Sequence, residues 1–462
     1  MTSPTVLWFR RDLRLADHPA LLQAAADKAD VLGVFVADDT VLSVSGAPRR
    51  AFLAGCLADL SESMGGRLLI VHGRPARVIP QVAAAVGAGA VHVSADYGPY
   101  GHQRDDAVAK SLQDRGIDFV ATGSPYAVAP GRVRKPDGGR YSVFTPYYRG
   151  WTSHGWRQPA GGGKAPAVRW IDPADVDGPV RHDPAELGRK VPSSMTLPEP
   201  GEAAALRTWS TFLDGAVDKY DSDRDRPDHA GTSRISPYLK WGCVHPRTLL
   251  ADLAGKTSRG AGAHRRELAW REFYADVVHH LPRSIWESVD PVIDKLEWDD
   301  GKDADDHFTA WKEGKTGFPY IDAGMRQLLA EGWMHNRVRM GVASFLIKDL
   351  HLPWQWGARH FLDHLVDGDY ASNNHGWQWV AGSGPQATPF FRIFNPQLQA
   401  EKFDPQGDYV RTFVPELRGI AGKAVHRPWE LGDEAPNGYP KPIVDHATER
   451  AETLRRWESR RG

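Results

Sequence analysis

Five short stretches between residues 231 and 396 carry the side chains that could do chemistry. The first, residues 231–237, places three hydroxyl groups and an arginine just ahead of an apolar segment. A helix that begins there suits a phosphate group, because the backbone N–H groups and the dipole at a helix start attract anions. On spacing alone, a plain helix cap beside a solvated arginine is the commoner explanation.

The second and third stretches combine polar groups with apolar helix faces. Glu267 and Trp270 are three residues apart, so a carboxylate and an indole share one face of a predicted helix. Asn336 and Met340 share another face one turn apart. An asparagine between arginines on an apolar helix is costly to bury unless a ligand or a carboxylate pairs with it. The flanking arginines are Arg337 and Arg339.

The fourth and fifth stretches, residues 367–379 and 391–396, bring carboxylates, amides and aromatic rings close together in the chain. A core aromatic, a surface ion pair or a turn asparagine would explain any single stretch equally well. Five such stretches in one region favour a functional site. The fifth stretch reads Phe-Arg-Ile-Phe-Asn-Pro, and the fourth contains Asp367, Asp369, Asn373, Trp377 and Trp379.

The first 130 residues predict the scaffold on one side of the chain. Short apolar runs alternate there with segments of 3.6-residue periodicity, which predicts a doubly wound parallel α/β sheet. The turn after the first strand lacks a G-x-G-x-x-G loop, and the Gly-Lys-Thr triplets lack the earlier glycine of a P-loop. This argues against a nucleotide-hydrolysing or conventional dinucleotide domain. The predicted strands are residues 6–9, 31–36, 68–71, 90–93 and 119–120.

The remaining chain predicts a linker and a helical domain. Residues 157–200 contain 13 Gly and Pro in 44 positions, which is typical of loops. After residue 202 there is almost no two-residue alternation, so we expect an all-helical second domain. The predicted domains are residues 1–130, a linker over 131–201, and residues 202–462. The predicted helices are residues 203–217, 264–279, 322–331, 333–350, 354–365 and 373–379.

Composition limits the class of protein. The 462 residues are 41% hydrophobic and 25% charged with net charge −1, which is ordinary for a globular chain. Two cysteines cannot form a disulfide framework or a four-thiolate zinc site, and no apolar run reaches the length of a membrane span. We therefore expect a cytoplasmic, non-membrane protein without a metal. Residues 1–200 carry 23 Lys and Arg against 20 Asp and Glu, and the rest carries 34 against 38, so a nucleic-acid groove must be a local patch.

Taken together, the five strings resemble the DNA photolyase/cryptochrome flavoprotein family, and within it the class I cyclobutane pyrimidine dimer photolyases. The resemblance runs from the Trp-Phe-Arg-Arg-Asp-Leu-Arg-Leu opening at residues 8–15 to residues 439–444, essentially the whole chain. It implies FAD inside the helical domain and DNA containing pyrimidine dimers as the partner. The implied reaction is light-driven electron transfer from reduced FAD to a flipped-out dimer. We expect a monomer.

The resemblance also assigns residues to the cofactor. Asp367 is implied as the partner of Arg339, which lies over the flavin, and Asp369 as a contact to the polar edge of the ring. Asn373 is implied to face flavin N5, where a neutral amide favours the anionic reduced flavin. The implied phosphate and ribose contacts are Tyr220, Thr232, Ser233, Arg234 and Ser236, and Asn336 is a further cofactor contact.

On the substrate side, the resemblance implies that Glu267 bonds the carbonyl of the dimer and that Trp270 and Trp379 are the walls against which the thymines pack. Asn336 and Met340 match the pattern of dimer photolyases. The implied contacts to the flanking phosphates are Arg224, Arg337 and Arg392, and the implied electron-transfer chain is Trp377, Trp354 and Trp298.

Three further expectations concern the surroundings of this site. The N-terminal sheet is implied to hold an antenna chromophore through Arg50 and Asp96, of the 8-hydroxy-deazaflavin type, with folate (methenyltetrahydrofolate) as the alternative. His375 replaces the glycine that the family usually has, and we expect it to face solvent rather than the flavin. The alternative functions are a cryptochrome-type blue-light photoreceptor and a flavoprotein oxidoreductase that does not act on DNA.

Overall fold

The strands form because their residues are apolar on both faces, as in a parallel sheet that is covered on both sides. The computed structural model describes residues 3–178, 180–385 and 392–459. Its strand order is β3-β2-β1-β4-β5, every pair being parallel, and β6 also pairs with β2 in parallel. The strands are β1 Thr5–Phe9, β2 Asp30–Ala37, β3 Leu68–His72, β4 Ala90–Val93, β5 Asp118–Ala121 and β6 Arg169–Trp170.

This sheet confirms the predicted doubly wound α/β architecture. In the register of the central pair, Trp8 lies opposite Val34. Both side chains are buried, and they pack with Ile79 and Val82 of a covering helix. Strand β6 was not predicted, because two residues inside a segment rich in Gly and Pro leave no readable alternation.

Helices make up the regular structure that follows. In the described residues after position 202 there is no strand, so the all-helical second domain is also confirmed. The helices are α1 Pro19–Ala24, α2 Asp39–Leu42, α3 Ala47–Ser63, α4 Pro75–Ala85, α5 Pro99–Gln113, α6 Phe144–His154, α7 Pro184–Leu187, α8 Glu202–Gly215, α9 Tyr220–Asp223, α10 Ser236–Trp241, α11 Pro246–Leu253, α12 Arg259–His280, α13 Gly301–Glu313, α14 Pro319–Glu331, α15 Asn336–Lys348, α16 Trp354–His364, α17 Tyr370–Ala381, α18 Pro396–Phe403, α19 Asp408–Phe413 and α20 His446–Ser459.

By packing, the chain divides into two units. The first contains the sheet and comprises Met1–Val191, Pro198–Gly215 and Ser233–Pro282, so α8 and α10–α12 pack with it. The second comprises Pro192–Leu197, Ala216–Thr232 and Arg283–Gly462. The domain boundaries at residues 130 and 201, which were drawn from sequence composition, stay a prediction.

The core of the second unit surrounds Trp311, which is fully buried and donates its indole N–H to the carbonyl of Val342 at 3.0 Å. Helices α14–α17 supply most of this core. Eight of the predicted site residues lie on three of these helices, α15, α16 and α17. Within the described ranges, none of the helices has the length and hydropathy needed to cross a bilayer.

Candidate functional site

The second unit holds an ion pair at the predicted flavin-facing position. Arg339 donates from Nη2 to Asp367 Oδ2 at 2.8 Å and from Nε to the carbonyl of Met334 at 2.8 Å. Two bonds of this kind fix the plane of the guanidinium group, and the charged one is the stronger. The pairing of Arg339 with Asp367 is as the resemblance implied, whereas their role toward a flavin stays a prediction.

Two neighbouring polar side chains organise the start of α17. Asp369 is the N-cap residue, and its Oδ1 accepts from the backbone N–H groups of Ala371 and Ser372 at 3.1 and 3.3 Å. Asn373 donates from Nδ2 to the carbonyl of Ala358 at 3.1 Å and to Asn374 Oδ1 at 2.8 Å. A backbone carbonyl can only accept, so these bonds fix the amide orientation. Asn373 therefore presents its carbonyl oxygen outward, away from both bonds.

His375 lies on the buried face of α17, so the expectation that it faces solvent is wrong. Its Nδ1 bonds the carbonyl of Ala371 at 2.8 Å and its Nε2 bonds Ser284 Oγ at 3.0 Å. The carbonyl requires the proton on Nδ1, which leaves Nε2 to accept from the Ser284 hydroxyl. Burial lowers the pKa of His375 to about 4.

A pH dependence of stability follows from His375. Below pH 6.5 the unfolded chain binds a proton that the folded chain excludes until about pH 4, so stability falls as pH falls through that window. At pH 5 the loss from this group is about 2 kcal/mol. Between pH 7 and pH 5, the free energy of unfolding in urea should fall by about 2 kcal/mol less for His375→Gln than for the parent. The exposed-residue control His154→Gln should match the parent, and equal losses in all three proteins would contradict the assignment.

The three tryptophans of the predicted electron-transfer chain belong to the core of the second unit. Trp377 is buried, and α16 packs so closely on it that Gly357 has no room for a Cβ atom. Trp354 is fully buried and donates its indole N–H to Ser288 Oγ at 3.1 Å, whereas Trp298 is half-buried at the edge of the same core. Trp298 is therefore the one of the three that lies nearest the surface, and the path through them stays a prediction.

Sequence reasoning missed one ring beside this chain. Two rings lie edge-on to Trp377: Trp311 at a centroid distance of 6.1 Å and Phe361 at 5.0 Å. Nothing in the sequence singles out Trp311, because an aromatic residue on a helix is usually a core residue. Its contact with Trp377 depends on the packing of α13 against helices that are distant in sequence.

Two predicted contact residues of the second unit, Arg337 and Asn336, differ from expectation in their partners or their exposure. Arg337 pairs with Asp225 at 2.7 Å and its guanidinium lies 4.4 Å from the ring centroid of Phe403, so a phosphate would have to compete with a carboxylate. Asn336 is exposed at the first position of α15, and the argument from the cost of its burial is wrong. The half-buried residues are Met340, Trp379, Tyr220, Arg224 and Thr232.

The segment before α18 is anchored on the last residue of α15, Lys348. Arg392 is exposed, and its backbone carbonyl accepts a bond from the buried ammonium group of Lys348. Burial lowers the pKa of Lys348 to about 7. The preceding residue of the predicted aromatic-basic string, Phe391, lies outside the described residues.

In the first unit, α12 presents the predicted carboxylate and indole. Glu267 and Trp270 are both half-buried. The indole of Trp270 is stacked on Phe144 of α6 at a centroid distance of 3.6 Å and an interplanar angle of 7°, and Tyr274 lies at 5.4 Å. Burial and the charge of Glu267 raise the pKa of Tyr274. One face of Trp270 is thus covered by protein.

Phe144 and Tyr274 were both missed from sequence. Tyr274 follows Trp270 by four residues, so helical spacing alone could have placed it on the same face. Phe144 lies 126 positions away in a segment assigned to the linker, and no local pattern connects it with Trp270. Only the packing of α6 on α12 brings the two rings together.

The predicted phosphate loop precedes α10. The N-cap residue of this helix is Ile235, which makes no side-chain capping bond, so the plain-cap explanation is wrong. Ser233 bonds His264 Nε2 at 3.1 Å. Arg234 is exposed and has a φ of 47°, in the left-handed region that non-glycine residues rarely adopt. Ser236 is the first residue of α10 and is half-buried.

The two predicted antenna residues bond to other protein groups. Asp96 follows β4, accepts from the N–H groups of Tyr97 and Gly98, and pairs with Arg104 at 3.1 Å. The nearby arginines hold the pKa of Asp96 well below its usual range, despite its burial. Arg50 on α3 donates to the carbonyl of Leu187 at 2.9 Å. Their role toward a chromophore stays a prediction.

Comparison with known proteins identifies the family. Residues 5–166 match the family model described as DNA photolyase, and residues 264–459 match the FAD binding domain of DNA photolyase. The deoxyribodipyrimidine photo-lyase of Streptomyces griseus is 41% identical, over 100% of this chain and 99% of that protein. The chain belongs to the DNA photolyase family.

Solved structures of photolyases and a cryptochrome share the fold. A bacterial class III photolyase from Agrobacterium tumefaciens is 37% identical with a TM-score of 0.90, covering 100% of this chain and 98% of that one. A cryptochrome from Synechocystis is 26% identical with a TM-score of 0.88, covering 98% and 99%. The finer prediction of class I is therefore not established by these similarities.

The polar groups of this photolyase-family chain fit the FAD that the family model implies. Arg339 and Asp367 form a charged pair, and Asn373 adds an outward carbonyl oxygen on the neighbouring helix. Hydrogen-bond donors and acceptors of this kind match the polar edge of an isoalloxazine ring. The rings of Trp377 and Trp354 lie in the core of the same unit, as electron transfer to a bound flavin would need.

Proposed function

We infer that this protein is a deoxyribodipyrimidine photo-lyase, an enzyme that uses light to repair pyrimidine dimers in DNA. The observation that carries this inference is the similarity over the whole chain, 41% to one photo-lyase and 35% over 99% of the chain to that of Escherichia coli. The pairing of Glu267 with Trp270 on one helix supports it. The photoreceptor alternative is not favoured, since the curated relatives are named as photo-lyases.

The roles of the substrate-side residues follow from their chemistry. We assign Glu267 to the carbonyl of the dimer, because a carboxyl group can hydrogen-bond a base edge and hold the charge that develops there. Trp270 offers one free indole face to the extruded bases, since Phe144 covers the other. Trp379 is assigned as the second indole against which the bases pack, and each stacked base gains about 1–3 kcal/mol.

On the cofactor side, FAD when bound supplies the photoexcited electron. We assign Arg339, Asp367 and Asp369 to orienting it. The outward carbonyl oxygen of Asn373 can accept a hydrogen bond but cannot give up a proton at physiological pH. Thr232, Ser233, Arg234 and Ser236 are assigned to the phosphates, together with Tyr220.

The finer assignments are proposals of the same kind. We propose an antenna of the 8-hydroxy-deazaflavin type near Arg50 and Asp96, with folate as the alternative, class I specificity, a monomer, and a cytoplasmic location. The absorption spectrum of the purified protein distinguishes the two antennas, and sedimentation equilibrium tests the monomer. A spectrum with flavin bands alone would remove the antenna assignment.

The function itself is tested with a short DNA duplex that contains one thymine dimer. We expect the purified, chemically reduced protein to restore two thymines under blue or near-ultraviolet light and to leave the dimer intact in the dark. Chromatography of the digested DNA measures both. Loss of the dimer in the dark, or no loss in light with FAD bound, would overturn the proposal.

A substitution at Glu267 tests the substrate-side assignment. Glu267→Ala should keep FAD bound and lower the repair rate about tenfold at saturating DNA, as expected for losing one charged hydrogen bond. The control Glu62→Ala removes an exposed carboxylate of α3 and should repair normally. An unchanged rate in Glu267→Ala, at equal light and flavin content, would count against this role.

A further inference from the structure

The segment from residue 131 to residue 164 is strongly basic. It contains seven Lys and Arg but only one acidic residue, Asp137, whereas the whole chain has 57 against 58. Counting charges over the two halves of the chain conceals this difference. The segment lies in the first unit and comprises the loop before α6, α6 itself and the chain that follows it.

The loop before α6 has a defined shape. It turns at residues 135–139, where the N–H of Lys135 donates to the carbonyl of Gly139 and the N–H of Gly138 donates to that of Lys135, each at 2.9 Å. Arg134 bonds the carbonyls of Gly131 and Gly138. A cavity of about 350 Å³ lies against this loop, lined by Lys135, Pro136, Asp137, Tyr141, Ser142, Val143 and Pro146.

The basic residues of the segment form no ion pairs in the described chain, although the charge of Arg134 acts on the buried carboxyl of Asp276. Asp137 Oδ1 accepts from the N–H of Gly139 at 2.8 Å, within the turn. In the part of the chain that the structure describes, no ion pair includes any of the seven basic residues. Five of the seven are exposed: Arg132, Arg134, Arg149, Arg157 and Lys164.

The basic segment adjoins the substrate-side face of α12. Phe144, the first residue of α6, stacks on Trp270, and Tyr148 one turn later lies under Arg266 at 4.6 Å. Arg149 is the next residue and is exposed. A strand that places a base on Trp270 would therefore carry its neighbouring phosphates past this surface.

We propose that residues 132–149 form a phosphate-binding surface that holds the DNA backbone beside the lesion, in addition to the arginines assigned from sequence. This rests on the proposed function. DNA is the ligand that suits this surface, because its regularly spaced phosphates complement the basic residues of 132–149. Binding of the phosphates also releases counterions. Aromatic rings that lead from this surface to Trp270 suit a nucleic acid that also stacks a base.

The test compares two double variants. Arg132→Gln with Arg149→Gln removes two charges from the surface. Arg77→Gln with Arg115→Gln removes two exposed charges elsewhere, one from α4 and one from the turn after α5. Binding of an undamaged duplex is measured in the dark from 50 to 200 mM salt. We expect the first pair to flatten the slope of log K against log salt by about 1.8. The ratio of the parent's affinity to that of the variant should therefore fall about twelvefold between 50 and 200 mM salt. The second pair should keep the slope of the parent.

A parent-like slope in the first pair would overturn the proposal, as would a deficit confined to damaged DNA. The assay uses undamaged DNA without light, so a failure here leaves the repair test unaffected, and a failure of repair leaves this slope unaffected. A second measurement avoids substitutions altogether. Bound duplex should protect Lys135 from acetylation but not Lys110 of α5, and equal labelling of Lys135 with and without DNA would contradict the surface.

Discussion

Replacing Trp377 by phenylalanine should abolish photoreduction of oxidised FAD while leaving repair nearly intact when the flavin is reduced chemically beforehand. Trp377 is buried among Phe361, Trp311 and the backbone of α16 at Gly357, so a ring remains in the core but the oxidisable indole is lost. Repair depends on a different donor, the reduced flavin itself. Absorbance of the flavin under illumination with an external reductant measures the first effect, and dimer loss measures the second.

The control for this variant is Trp209→Phe in the first unit. Trp209 is also buried, and it donates its indole N–H to Asp252 at 2.9 Å, so its substitution costs stability without touching the chain of tryptophans. It should photoreduce normally. Normal photoreduction in Trp377→Phe would show that the path has been assigned to the wrong rings, and Trp311→Phe would then be the next variant to examine.

Replacing Trp270 by alanine should remove most of the preference for damaged over undamaged DNA. Stacking of the flipped bases is worth about 1–3 kcal/mol per base and depends little on salt, so the preference should fall by about 10- to 100-fold at every salt concentration. The affinity for undamaged duplex, which is bound through its phosphates, should fall little. Competition binding with matched duplexes, with and without one dimer, measures the ratio.

Trp270 also packs on Phe144, so its removal can weaken the fold as well as the pocket. Trp270→Phe keeps a ring on Phe144 and should restore part of the preference. Phe144→Leu keeps the indole but removes the ring behind it, and it should lower the preference less than Trp270→Ala does. Equal weakening of both DNAs by Trp270→Ala, in a variant that folds, would rule out the stacked-dimer role of this indole.

Strands and helices could be predicted from the sequence because the apolar residues of each follow a local pattern. Residues 31–36 and 68–71 are continuous apolar runs, and they became strands buried on both faces. The segment 354–365 has a helical period and became α16, Trp354–His364. The predicted bounds differ by a few residues, since the ends of elements depend on caps such as Asp369 rather than on the period.

Single residues were harder to place than elements. His375 was expected at the surface, but α17 turns that position toward Ser284, and burial rather than solvent sets its pKa. Asn336 was expected to need a ligand or a carboxylate if it were buried, but it is exposed at the first position of α15. Periodicity shows that a helix has an apolar face, but the bounds of that face depend on what packs against it.

By itself, the sequence determined five of the six strands, six helices after residue 202, the family resemblance and the positions at which chemistry is concentrated. Each of these depends on residues close together in the chain. The tertiary structure decided the stacking of Phe144 on Trp270, the pairing of Arg337 with Asp225, the contact of Trp311 with Trp377, and the position of the basic segment beside α12. These contacts join residues separated by up to 126 positions, and they form because packing buries apolar surface and pairs charges wherever the fold brings them together.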